Sequence, residues 1–351
     1  MPFINDVLEN NREQLEENNI KRAGQRVSRF RFEPSEVIEL LSSRIVGQQE
    51  MITAVGDMLH MTKADFNSQD RPLAVFFFLG STGVGKTETV RILSEKILGS
   101  KDQICRIDMN TLVQEHYAAA ITGAPPGYVG SKENNTLLDS EKIEGSFSRP
   151  GIVLFDEIEK ASKEVIRTLL NILDTGQLNL SGGTKNINFR NAMIFMTSNL
   201  GAQALMKYRR KFESGWRSWC RMNPSKSQEK GILQEALQRK FDPEFLNRID
   251  RTVFFERLDS RWLDQLLTLE LLKLNKRLSK CRASIELTKS AKTFLLTQYD
   301  KEYGARHLIR MLRSQLEPNI AKALNSHPDK TAFLARLQGT NLEVIPTSAT
   351  K

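Results

Sequence analysis

The stretch Gly80-Ser81-Thr82-Gly83-Val84-Gly85-Lys86-Thr87 fits the pattern G-x-x-x-x-G-K-[ST], and its neighbours decide what the pattern means. An apolar run at 73–79, LAVFFFL, leads into it. Bounded by Pro72 and Gly80 and rich in aromatic residues, that run predicts a buried strand. After the loop, apolar residues at 90, 92, 93, 97 and 98 keep helical spacing until Gly99 ends it. Strand, glycine loop and helix are the context in which this pattern binds phosphate. Glycines let successive backbone N–H groups turn toward phosphate oxygens, and the helix N-terminus adds its partial positive charge. Lys86 can then reach the β- and γ-phosphates of a nucleoside triphosphate, and Thr87 can place its hydroxyl on Mg²⁺.

A second stretch, IVLFDEIE at 152–159, is an apolar strand that stops at two carboxylates. At the carboxyl end of a strand beside a phosphate loop, Asp156 can hold Mg²⁺ through water. Glu157, one residue on, can act as general base on the attacking water. A further apolar run, 192–197, closes in Thr197-Ser198-Asn199. The Asn199 amide can orient the hydrolytic water or meet the γ-phosphate, or simply cap a turn. Arg248, in FLNRID at 245–250, precedes the last strand of this region, and Arg306, in GARHL at 304–308, opens a late helix. A permanently charged guanidinium stabilises phosphoryl-transfer charge from its own chain or a neighbour, although spacing alone does not single these two out.

Around these motifs the chain alternates. Strands are expected at 73–79, 104–108, 151–155 and 192–197, with helices between them, notably at 163–173. Strands separated by helices imply an α/β class with a mostly parallel sheet covered on both faces. Residues 176–190 read as a β-hairpin around Gly182-Gly183. Past about 257 the pattern turns helical (260–280, 288–298, 304–324), with a weakly extended tail. The expected organisation is a polar linker or helix at 1–36, a large domain at 37–256 and a smaller, mostly helical domain with a few strands at 257–351. The chain has 351 residues, 40% hydrophobic and 26% charged, with no apolar run approaching the ~20 residues of a membrane span. The N-terminus lacks the pattern of a signal or transit peptide. Three widely spaced cysteines, without a C-x-x-C pair, argue against zinc or disulfide frameworks and fit a reducing cytoplasm.

Taken in order, Val46-Gly47-Gln48, residues 80–87, GAPPGYVG at 123–130, Phe155-Asp156-Glu157, Phe189-Arg190-Asn191, TSNLG at 197–201, FLNRID at 245–250 and Gly304-Ala305-Arg306 resemble the Clp family of AAA+ ATPases. The resemblance is to the second ATPase module of ClpB-type disaggregases and covers about 37–345. It implies that Val46 packs against adenine, that Lys86 and Thr87 form the Walker A pair and that Asp156 and Glu157 form the Walker B pair. It further implies that Asn199 is sensor 1, Arg248 an arginine finger completing a neighbour's site, and Arg306 the sensor 2 arginine. A finger acting on a neighbour implies a homo-oligomeric, hexameric ring. By the same resemblance Tyr128 and Val129 form the pore loop that grips unfolded or aggregated polypeptide. Flanking glycines suit such a loop, and a flat aromatic ring suits a sequence-tolerant grip. Ser131–Asn135 and the alanines at 118–120 depart from the family pattern, which bears on substrate grip more than on hydrolysis. Between 200 and 245 there is no Ile-Gly-Phe or Ile-Gly-Leu, the docking signal for a ClpP-type peptidase.

The formal charge of +9 is concentrated: residues 203–230 carry eight Lys/Arg against two Glu. There Tyr208, Phe212, Trp216 and Trp219 would form one stripe of a helix. Such a helix either packs its stripe on the same subunit or docks an adaptor, nucleic acid or an anionic surface. The functional expectation is an ATP-dependent unfoldase or disaggregase. A remodeller acting through the basic segment and a non-threading regulatory ATPase are the alternatives.

Overall fold

The structure, a computed structural model, describes residues 28–112, 121, 137–180, 186–213, 224–300 and 304–347. The chain divides into two compact units. The larger holds Gln49–Gly80 and Lys86–Phe255 together with the chain up to Ser43, and the smaller holds Arg44–Gln48, Ser81–Gly85 and Glu256–Lys351.

In the larger unit, α1 (Pro34–Arg44, its last residue in the smaller unit) and α2 (Gln49–Ala64) come first. They are followed by β1 (Ala74–Leu79), α3 (Lys86–Ile97), β2 (Cys105–Asp108), the short α4 (Ser140–Glu144) and β3 (Gly151–Asp156). Next are α5 (Lys163–Thr175), β4 (Gln177–Asn179), β5 (Asn186–Asn188) and β6 (Ala192–Ser198). The unit closes with α6 (Ala202–Glu213), α7 (Lys226–Lys240), α8 (Pro243–Asn247) and β7 (Arg251–Phe254). Five strands form one sheet in the order β2-β3-β6-β1-β7, every pairing parallel. β1, β3 and β6 are buried along their whole length, which is why their sequences are unbroken apolar runs rather than alternating ones. One face of the sheet presents Val75, Phe77, Val153, Phe155 and Ile194 to a core with Val165, Leu169, Leu205, Leu237 and Phe245. The other carries Phe76, Phe78 and Phe195, with ring centroids 5.6–6.3 Å apart. α5 starts where the Ser162 hydroxyl accepts from Val165 N–H at 3.4 Å, and stops at Gly176. β4 and β5 pair antiparallel, as a hairpin requires; Gly182-Gly183 lies outside the described residues.

The smaller unit contains α9 (Leu263–Leu278), β8 (Ser284–Leu287), α10 (Lys289–Thr297), α11 (Ala305–Met311), α12 (Glu317–Ser326), β9 (Ala332–Gln338) and β10 (Asn341–Thr347). Its three strands lie in the order β10-β9-β8, the first pair antiparallel and the second parallel. Leu266, Leu271, Ile285, Leu295, Leu308, Leu316, Ile320 and Phe333 share its core. Two features differ from the sequence expectation. β8 is a strand the apolar pattern did not mark; its residues alternate exposed and buried over only four positions. The single helix expected over 304–324 is interrupted by a π turn at Leu312–Leu316. Pro318, near the start of α12, has no N–H to donate one turn back, so the ladder widens before it. Among the described residues no helix is long and apolar enough to cross a membrane.

Candidate nucleotide site

Three strands of the large sheet end together and set the site's geometry. β1 and β6 run in register to Leu79 opposite Ser198, and β3 delivers Asp156 just past the Phe155–Met196 pair. Strand ends at the carboxyl edge of a parallel sheet are where ligands of such folds bind. There the Lys86 ammonium, buried, donates to Gly80 O at 2.6 Å and to Asn199 Oδ1 at 2.8 Å. Asn199 in turn donates from Nδ2 to Glu157 Oε1 at 3.3 Å, and its backbone N–H donates to Glu159 Oε1 at 3.1 Å. Lysine, amide and carboxylate therefore form one hydrogen-bonded chain.

Glu157 has left-handed backbone angles, φ 57° and ψ 50°, in a non-glycine residue. Such geometry is sparsely populated and is kept only where the surroundings enforce it. Here the Glu157 N–H donates to Thr197 Oγ1 at 3.1 Å, which helps hold the turn. Its other oxygen accepts from Asn110 Nδ2 at 2.8 Å, and the same amide contacts Asp108 Oδ1 at 2.9 Å. Asn110 escaped the sequence reading. It stands two residues past the end of β2 and belongs to no motif; only the parallel pairing of β2 with β3 brings it to Glu157.

Asp156 is buried and accepts three hydrogen bonds. Thr197 Oγ1 lies 2.5 Å and Thr87 Oγ1 3.3 Å from Oδ1, and Arg106 Nη2 lies 2.6 Å from Oδ2. Among the described residues no cluster of three or more His, Cys, Asp or Glu could hold a metal alone. The Thr87 hydroxyl beside the Asp156 carboxylate nonetheless fits Mg²⁺. That ion takes hard oxygens and fills most of its shell with water and substrate phosphate.

The loop tip, Ser81–Gly85, belongs to the smaller unit, with φ +74° at Gly83 and +107° at Gly85. There Ala305 N–H donates to Gly83 O at 3.0 Å. Gly304 (φ 57°, ψ −151°) lies so close that a β-carbon on it would stand 2.7 Å from the same oxygen. Gln48, buried, joins this group by donating to Glu256 O at 2.8 Å and accepting from Glu256 N–H at 2.9 Å. Val46 is half-buried in the same segment, and a β-carbon on its neighbour Gly47 would lie 3.0 Å from the Trp262 ring. Arg306 is exposed on the first turn of α11, lining a cleft of about 370 Å³ with Arg310 and Arg313.

Arg248 stands elsewhere. Its carbonyl accepts from Arg71 Nη2 at 3.1 Å, and two residues on, Asp250 bonds both backbone groups of Val75. Val75 is near the start of β1, so Arg248 sits at the amino edge of the sheet. The length of β1, about 17 Å at ~3.3 Å per residue, separates that edge from the phosphate loop. Its guanidinium pairs with Asp174 at 3.1 Å. Tyr128 and Val129 lie outside the described residues, as does all of 122–136.

Half of the basic aromatic segment is described. α6 carries Tyr208 and Phe212 with ring centroids 5.2 Å apart, and Tyr208 packs on the large core. The Tyr208 hydroxyl donates to Gln228, and Arg209 makes a bidentate pair with Glu229 at 2.5 and 2.7 Å, tying α6 to α7. Trp216 and Trp219 lie outside the described residues.

Comparison with known proteins agrees with this architecture. The family described as AAA domain (Cdc48 subfamily) matches residues 71–252, and the C-terminal, D2-small domain of ClpB protein matches 258–331. The chain is 41% identical to the ATP-dependent protease ATP-binding subunit-like protein AmiB of Pseudomonas aeruginosa, over 96% of this chain and 98% of that protein. It is 38% identical to the ATP-dependent Clp protease ATP-binding subunit ClpC of Staphylococcus saprophyticus, over 82% of this chain but only 34% of that one. Its fold matches Hsp104 of S. cerevisiae in the extended Hsp104:casein complex with TM-score 0.75 and 26% identity. That match covers 88% of this chain and 52% of the yeast one. The chain thus spans nearly all of the AmiB relative, about a third of ClpC and about half of Hsp104.

Proposed function

For a chain that belongs to the Clp family of AAA+ ATPases, we propose a ring, hexameric as in the family, that couples ATP hydrolysis to threading of unfolded or aggregated polypeptide. ATP binding and hydrolysis come with the family. The assignment of residues is our reading. Lys86 turns from Asn199 to the phosphates, with the loop N–H groups of 80–87 around them. Thr87 and Asp156 would hold Mg²⁺, which would neutralise developing phosphate charge when bound. Glu157 takes the proton of the attacking water, and Asn199 keeps that carboxylate oriented. Val46 borders the adenine, and Arg306 is the sensor 2 arginine.

The single observation that carries the ring is the position of Arg248 at the sheet's amino edge, a strand's length from its own phosphate loop. A finger there can serve only a neighbour's site. Arginine fingers are worth on the order of 10³–10⁵ in rate. Threading rests on the family's pore loop, here Tyr128-Val129, and on the fold shared with Hsp104 in its casein complex. The absence of the peptidase-docking tripeptide at 200–245 favours action without a protease, although two similar proteins carry protease-subunit names, and the three widely spaced cysteines fit a reducing cytoplasm. ATPase assays with and without an unfolded protein such as casein, beside sizing with and without ATP, test the whole reading. We expect ATP-dependent assembly and hydrolysis stimulated by the unfolded chain. A monomer under all nucleotide conditions, or a rate indifferent to casein, would overturn it.

A further inference from the structure

We propose that Arg106 is a built-in counter-charge for Asp156 that competes with Mg²⁺–nucleotide for this carboxylate and swings away when it binds. The inference rests on the reading of Asp156 as the Mg²⁺ carboxylate. Asp156 is buried, and a buried carboxylate needs a counter-charge. Oδ1 is taken up by two neutral hydroxyls, those of Thr87 and Thr197. The positive charge comes from Arg106, whose Nη2 lies 2.6 Å from Oδ2. Arg106 therefore holds one oxygen of the carboxylate whose other oxygen meets the Thr87 hydroxyl that a metal would use. Two cations on one carboxylate repel, and Mg²⁺ brings twice the charge of a guanidinium.

The geometry also gives Arg106 a way out. It lies on β2, the edge strand of the sheet, where exposed and buried residues alternate. Its side chain is 43% exposed although its partner is buried, so it can swing to water without disturbing the core. A purely structural ion pair would affect every state of the protein alike. A displaceable one specifically opposes metal binding.

The experiment is binding of a fluorescent ADP to the intact chain across a Mg²⁺ titration and in EDTA. Wild type, Arg106→Gln, Arg106→Lys and Asp156→Asn are compared. Wild type should bind more tightly with Mg²⁺, and Asp156→Asn should lose most of that gain; if neither holds, the metal reading fails, and this inference with it. Given that gain, Arg106→Gln should lower the half-saturating Mg²⁺ concentration about five- to ten-fold, the scale of one charge-assisted hydrogen bond. Arg106→Lys, which keeps the charge, should return most of the difference. Arg106→Gln should also lower the unfolding temperature of the ligand-free chain, with the deficit shrinking when Mg²⁺–ADP is present. Superposable Mg²⁺ curves for wild type and Arg106→Gln, or an equal change in EDTA and in Mg²⁺, would overturn the proposal.

Discussion

Glu157 shows how much a single residue here depends on its setting. Its left-handed backbone, held by Thr197, and its two amide partners, Asn199 and Asn110, fix where the carboxylate points. Replacing it with Gln keeps the shape but turns one of its two accepting oxygens into a donor and removes the proposed base. Glu157→Gln should bind ATP about as well as wild type and hydrolyse it ~10²–10⁴ times more slowly, read by nucleotide binding and phosphate release. Hydrolysis at the parental rate would remove the base assignment. Asn110→Ala should lower the hydrolysis rate with little change in nucleotide affinity, because among the described residues the amide bonds the carboxylates of Asp108 and Glu157. At the same scale, burial pushes the Cys105 thiol up to about 11 from 9.0, while Cys281 is exposed. Alkylation at pH 8 with peptide mapping should label Cys281 and leave Cys105 unmodified in the folded chain. Because the folded thiol holds its proton where the unfolded one has lost it, this contribution to stability is complete below pH 9. It is lost as pH rises from there toward 11. Tyr299, raised by burial from 10.0 to about 12, adds to the same alkaline decline. Unfolding midpoints measured from pH 8 to 11 should fall monotonically.

At the scale of elements, the large sheet was legible because a parallel strand buried on both faces writes itself as an unbroken apolar run. LAVFFFL, GIVLF and AMIFMT are such runs, and each became a strand. The carboxylates and hydroxyls at their ends could be read from where the runs stop. What the sequence withheld depends on pairing. Ser284–Leu287 is too short to show its alternation between helices, and only its alignment with β9 reveals it. Asn110 and Arg106 reach Glu157 and Asp156 through the β2–β3 register, which no local pattern encodes. Gln48 acts through the backbone of Glu256, more than two hundred residues away in sequence. In the smaller unit the Gly304 turn makes the sharpest demand. Its φ 57°, ψ −151° conformation is essentially restricted to glycine, and Gly83 O leaves no room for a β-carbon. Gly304→Val should cost about 1–3 kcal/mol of stability and weaken nucleotide binding, because strain there is passed to the loop tip. Calorimetric unfolding and nucleotide titration check it; unchanged affinity with lowered stability would separate the turn from the site.

At the scale of the molecule, the groups read as the nucleotide site gather at the carboxyl edge of the sheet, and Arg248 stands at its amino edge. In the ring we propose, the surface bearing Arg248 meets the nucleotide edge of another copy, a head-to-tail contact that closes on itself. The most direct measurement mixes two inactive variants. Glu157→Gln keeps Arg248 but has no base, and Arg248→Ala keeps the base but has no finger. Each alone should hydrolyse ATP near background. Mixed one to one under assembling conditions, they should recover roughly a quarter of the wild-type rate, since random ring neighbours pair a working site with a working finger about one time in four. A mixture no more active than the two variants measured separately would contradict a shared site.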